Sequence, residues 1–199
     1  MPIAAKKRSA QMHTAGPDIG SGSSGGDTAL PKSVKPPLGA LPAGFVSPFK
    51  RVQMEERMDD CLACIAILTG KTMQETVAAA RAEGYPAHGP ALPSEKMTRR
   101  LLASLGGLKA TEYLEFHSYD AMPNVALLYV DWHTEMEVGR HVVWHHVSGG
   151  ADQQAFSYVI DPASWLPPER HYTTQFRLLK PDCYMEITQV PGSGKGKKA

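Results

Sequence analysis

Apolar positions are spread unevenly along the chain. Residues 1–48 carry no repeating apolar pattern. Gly20-Ser21-Gly22-Ser23-Ser24-Gly25-Gly26 is followed by Pro31, Pro36, Pro37, Pro42 and Pro48. Such a segment buries too little apolar surface to offset the entropy of ordering it, so a disordered arm is expected there. The stretch from Pro191 to Ala199 reads the same way and ends in lysines. A single folded domain is therefore expected over residues 49–190, between a Gly/Ser/Pro-rich arm at 1–48 and a basic tail at 191–199.

Within the domain, the first apolar pattern is helical. Asp59 or Asp60 can cap a helix whose apolar residues run from Cys61 to Thr69, with Gly70 as the stop. Thr72 and Glu75 have the spacing of a capping box, which predicts a second helix to Glu83, before Gly84. Ser94 predicts the cap of a third, ending before Gly106-Gly107. The period then changes from helical to alternating. Val125–Trp132, Arg140–Val147, Phe156–Ile160 and Tyr184–Val190 are rich in β-branched and aromatic residues and predict strands. Helices first and strands afterwards, without alternation, predict an α+β fold in which N-terminal helices pack on an antiparallel sheet.

The chain has 199 residues, 42% apolar, which suits one domain with a sizeable core. Its net charge of +1 gives no electrostatic case for a nucleic-acid or membrane partner. Lys6-Lys7-Arg8 and Lys195, Lys197 and Lys198 read as solvated tips. Three cysteines are too few for a disulfide framework and read as reduced thiols. No apolar run reaches the ~20 residues of a membrane helix, and the basic start lacks the apolar core of a Sec signal. A cytoplasmic product is expected, with any export through a non-Sec system.

Cys61 falls in the first turn of the first predicted helix. Unpaired backbone N–H groups and the helix dipole there favour a thiolate and can face a developing oxyanion. Cys64, one turn on among Ile65, Ile67 and Leu68, reads as a small core residue. A catalytic thiol needs a base. His141, in Gly139-Arg140-His141-Val142-Val143-Trp144, opens a strand, where its ring can reach a helix packed on the sheet. A base needs an acceptor to fix its tautomer. Asp161, in Ile160-Asp161-Pro162-Ala163, ends the next strand, and a hairpin would bring it near His141. Taken singly, each of these residues also has a plain structural reading: core thiols, a polar strand residue, and a turn aspartate before proline.

Their order carries more weight. Gln53, Asp60-Cys61-x-x-Cys64, Gly139-x-His141-Val142-Val143 and Ile160-Asp161-Pro162-Ala163 together resemble the double-glycine leader peptidases. These are the papain-like domains of bacteriocin-exporting transporters and related stand-alone proteins. The resemblance covers about residues 52–165. It implies a papain-like fold and a cysteine peptidase with no cofactor. It also implies Cys61 as nucleophile, His141 as general base, Asp161 as the orienting acceptor and Gln53 as an oxyanion donor. The implied partner is a protein or peptide substrate, cut after a glycine pair. Leu62 stands where the family has glycine, which would narrow the approach to the sulfur. Gln53 precedes Cys61 by eight residues, a longer spacing than the family's. No transporter membrane domain is expected, and a small domain behind a long arm suits a secreted bacterial effector or toxin held in check by an immunity protein.

Other readings compete. Cys61-x-x-Cys64 is half of a zinc spacing that His133, His141, His145, His146 or Cys183 could complete, but no second tight pair is present. A thioredoxin-like redox pair would need a surrounding βαβ pattern, which is missing. A glutamine deamidase or transglutaminase of papain type begins with the same attack on an amide and differs only in the amine expelled. A non-catalytic peptide-binding module of the same fold would have no use for Cys61.

Overall fold

The computed structural model describes residues 39–89, 91–150 and 154–190. The tail expected at 191–199 and most of the arm expected at 1–48 lie outside the described residues. Residues 39–48, assigned to that arm by composition, lie against the domain. Leu41 and Phe45 pack on the core, Thr174 N–H donates to Gly39 O at 2.9 Å, and Ser47 Oγ lies 2.6 Å from Tyr158 Oη.

Three helices come first. α1 spans Asp60–Thr69, and its backbone stops at Gly70 with φ 69°, a left-handed conformation that glycine adopts without cost. Nearly every α1 residue is buried, so it is a core helix rather than an amphipathic surface one. α2 spans Met73–Ala82, and both halves of the Thr72–Glu75 capping box are made. α3 spans Glu95–Gly106, with the Ser94 hydroxyl accepting from Met97 N–H and Gly107 closing the end. The helix thus runs through Gly106, one residue past the expected stop.

The sheet holds seven strands among the described residues: β1 (Leu108–Ala110), β2 (Leu114–Glu115), β3 (Val125–His133), β4 (Val138–Val147), β5 (Phe156–Ile160), β6 (Tyr172–Thr173) and β7 (Pro181–Gln189). Their order is β1-β7-β3-β4-β5-β6, β2 also pairs β7, and all pairings are antiparallel. The expected α+β class with an antiparallel sheet is what the chain adopts. The three shortest strands were not expected, because runs of two or three residues carry no readable alternation.

Side chains alternate across the sheet. Leu127, Val143, Tyr158, Ile160 and Met185 face the helices and join α1 in the larger core. Leu128, Val130, Val142, Trp144 and Val159 face the other way, beneath Phe116, Tyr119, Met122 and Phe176. Leu102, fully buried on α3, belongs to the helix side. Truncating it to alanine is expected to cost about 2–5 kcal/mol, through lost transfer energy and a cavity. Thr72→Ala removes one cap and is expected to cost about 1 kcal/mol. Urea unfolding of the two variants should give that order.

Candidate active site

α1 and β4 build the candidate site together. Asp60 is the first residue of α1 and is buried at 5% exposure. Its Oδ2 accepts from the backbone N–H of His141 at 2.6 Å, and the His141 ring Nδ1 lies 2.6 Å from the same oxygen. A carboxylate oxygen accepts, so Nδ1 carries the ring proton and Nε2 carries the lone pair. Nε2 lies 2.8 Å from Tyr113 Oη, in the connection between β1 and β2. Tyr129, opposite His141 on β3, packs its ring 4.8 Å from the imidazole. Gly139 has its place here for a steric reason. A Cβ at that position would fall 2.8 Å from both the Tyr129 ring and Val130 O. Its N–H also donates to Tyr129 Oη at 2.6 Å.

Cys61 follows Asp60 in the first turn of α1, where the sequence pattern placed it. The thiol points into the domain, is 1% exposed, and meets Thr98 Oγ1 of α3 at 3.6 Å. Burial pushes the Cys61 thiol up to about 12; the Thr98 hydroxyl offsets part of this and the Asp60 charge adds to it. The helix start was expected to lower this value. Desolvation of the sulfur outweighs the dipole, because a thiolate with no water around it loses its solvation. Cys64 is fully buried, as its apolar neighbours suggested.

Asp161 does not meet His141. Its carboxylate pairs with the Arg140 guanidinium and accepts from Ala163 N–H at 3.0 Å. The reason lies in the pleat. Arg140 and His141 are neighbours on β4 and project to opposite faces, and Asp161 continues β5 on the Arg140 side, in step with Val159. Arg140 also donates from Nε to Asp131 Oδ2 at 3.0 Å. Asp131 sits at a bulge between Val130 and His133 with φ 58°, in the left-handed region that aspartate tolerates better than most residues. Gln53 is exposed, and its Oε1 accepts a long 3.5 Å bond from Arg51 Nη1. Next to it, Met54 N–H donates to Pro162 O at 3.0 Å, tying this segment to the turn after β5.

A crevice opens among Met54, Arg57, Asp60, Arg140, His141 and Asp161, with Trp165 at its rim. Its free space of about 10 Å³ holds about one water molecule. Neither Cys61 nor Leu62 lines it. Leu62 is fully buried, so the leucine expected to narrow the approach to the sulfur is a core residue. Among the described residues, no group of three or more His, Cys, Asp or Glu is placed to hold a metal ion. No described helix is long and apolar enough to cross a membrane.

Asp60, Tyr113, Thr98 and Arg140 were not singled out in the sequence as site residues. The helix start beside the cysteine was legible with Asp59 or Asp60 as its cap; Asp59 takes the cap position without a side-chain capping bond, and Asp60 is the first helical residue. Arg140 was legible as a member of the His141 segment. Tyr113 and Thr98 gave no signal, because only the fold brings them to the site. Models of known protein families do not match the chain, and no characterised protein is similar enough to count as a relative.

Two outcomes follow from these environments. Arg140→Ala leaves the buried Asp161 carboxylate without its cation and is expected to cost about 3–5 kcal/mol in urea unfolding. The Cys61 thiol is neutral in both folded and unfolded chains below about pH 8.5, the unperturbed thiol value, and has no pH effect there. Above that, the unfolded thiol ionises first while the folded one resists to about 12. Wild type should therefore lose stability relative to Cys61→Ala as pH rises through 9, 10 and 11, by up to about 1.4 kcal/mol per pH unit. Parallel stability curves for the two proteins would contradict the buried, raised thiol.

Proposed function

We propose that the chain is a papain-like thiol hydrolase that breaks an amide bond in a protein substrate, with Cys61 as nucleophile and His141 as general base. The observation that carries this reading is the pair of hydrogen bonds from His141 to Asp60, the chain neighbour of Cys61. Through them the imidazole stands beside the helix turn that carries the thiol. The order of elements supports the same reading: a cysteine opening a buried helix, then a histidine on a strand packed against that helix.

The resting site is closed. The thiol is protonated at neutral pH, and the crevice has no room for a peptide. Substrate must therefore open the rim and turn the sulfur from Thr98 towards the crevice. The thiol proton then passes to His141, and the thiolate attacks the scissile carbonyl carbon. The Cys61 backbone N–H, with the exposed Gln53 brought in from beside Met54, stabilises the oxyanion. His141 returns the proton to the leaving amine, and water hydrolyses the thioester. Asp161 supports this from a distance by fixing Arg140 and the turn that carries Pro162 and Ala163.

The test is incubation of the full chain with a bacterial lysate, followed by mass spectrometry of peptide termini. New N-termini are expected with wild type and are expected to be absent with Cys61→Ala. His141→Ala should lower their yield at least about a hundredfold. Glutamine-to-glutamate mass shifts without new termini would replace the peptidase with a deamidase. Identical peptide sets from wild type and Cys61→Ala would overturn the hydrolase.

A further inference from the structure

We propose that Asp60 is the positioning residue for His141, and that Tyr113 caps the basic nitrogen of that histidine in the resting chain. The proposal rests on the reading of His141 as general base and deepens it. It gives Asp60 the task that the sequence pattern gave to Asp161.

The geometry has two halves. Asp60 Oδ2 takes both the backbone N–H and the ring Nδ1 of His141, each at 2.6 Å, so the strand and its side chain are anchored to one oxygen. Both partners are buried. A bond of this kind in a dry setting fixes the tautomer, because the alternative would leave a carboxylate facing a lone pair. Asp161 is committed elsewhere, to Arg140 and Ala163 N–H.

The second half is the occupant of Nε2. With Nδ1 spoken for, Nε2 is the only ring position that can take a proton from the thiol. Tyr113 Oη fills it at 2.8 Å. Burial pushes the Tyr113 hydroxyl well above its ordinary value, with further contributions from Cys61, Cys183, Tyr129 and Asp60, so it remains a neutral donor. The groups that meet the imidazole are therefore Asp60 from α1, Tyr113 from the β1–β2 connection and Tyr129 from β3; Cys61 follows Asp60 on α1, and Arg140 points to the other face of β4. Among them, only Tyr113 holds Nε2. When it leaves, the Sγ–H bond can break and an Nε2–H bond can form, giving a thiolate and an imidazolium. While it stays, the thiol keeps its proton.

Two measurements on the full chain test the halves separately. In histidine-labelled protein, long-range proton–nitrogen spectra report the tautomer of His141, whose signals are assigned by their loss in His141→Gln. The Nδ1–H form is expected in wild type and in Asp161→Asn, and its preference should be lost in Asp60→Asn. The Nε2–H form in wild type, or release of the tautomer by Asp161→Asn, overturns the role of Asp60. These two proteins suffice if Asp60→Asn does not fold.

For the cap, iodoacetamide labelling of Cys61 at neutral pH is followed by peptide mass spectrometry. Tyr113→Phe keeps the ring and removes the hydroxyl, and should label about fivefold faster than wild type, the worth of one hydrogen bond. Cys64 should label at an unchanged rate. Equal or slower labelling of Cys61, or equal acceleration at Cys64, overturns the cap. Neither measurement reads turnover. A chain that cleaves nothing would sink the hydrolase and leave the tautomer and the cap standing.

Discussion

The carboxylate of Asp60 is the constraint around which the site is organised. It lies at the start of a helix that is buried along almost its whole length, and it faces a strand in the middle of the sheet. A buried carboxylate without partners would cost several kcal/mol. This one is satisfied by two N–H groups of a single residue, which joins α1 to β4 at a fixed height and rotation. The apolar side chains of α1 could slide along the sheet with modest loss, since apolar contact is non-directional. The hydrogen bonds to Asp60 set the register, and with it the distance between the thiol and the imidazole.

A second charge group, of which Asp161 is buried and Arg140 and Asp131 are half-buried, lies on the opposite face of the same strand. Arg140 is held between Asp161 and Asp131, and Asp131 adopts a left-handed backbone at a bulge to reach it. Consecutive residues of β4 therefore anchor it in both directions, His141 towards the helices and Arg140 away from them. The turn after β5 is drawn into this arrangement. Arg51 donates to Asp161 O at 2.6 Å and to Ala163 O at 2.7 Å, and Met54 donates to Pro162 O. The segment that carries Gln53 is thus laid along the Asp161–Ala163 turn, which gives the crevice one of its walls.

Much of the fold could be read from local patterns. The Thr72 capping box, the Ser94 cap and the glycine at position 70 each specify a backbone conformation within a few residues, and each is realised. The four longer strands show in their β-branched and aromatic runs. The candidate site was legible only in part. His141 and Cys61 were marked by position, one on a strand and one at a helix start, and the fold sets these elements side by side. The partner of His141 was not legible. A hairpin argument places Asp161 at the correct end of the sheet, yet the pleat turns it to Arg140, and a shift of one residue decides which face is met. Tyr113 reaches His141 across 28 positions of sequence, through pairings of β1 and β2 with β7 that no local pattern encodes.

The two influences on the Cys61 thiol oppose each other, and their balance explains why the thiol keeps its proton. The helix start offers backbone N–H groups, an interaction worth about 0.3–1 kcal/mol at an exposed helix end and up to ~2 kcal/mol when partly buried. Complete removal of a thiolate from water costs more than that, and the nearby Asp60 charge adds to the cost. The same carboxylate that orders the imidazole thus discourages a lone thiolate. An imidazolium would reverse the sign, because its charge offsets that of the sulfur. Charge separation in the proposed reaction is therefore cooperative: the proton must arrive on His141 for the thiolate to be tolerated. In the proposed reaction, that requirement makes the occupancy of Nε2, rather than the intrinsic acidity of the thiol, the variable that controls the nucleophile.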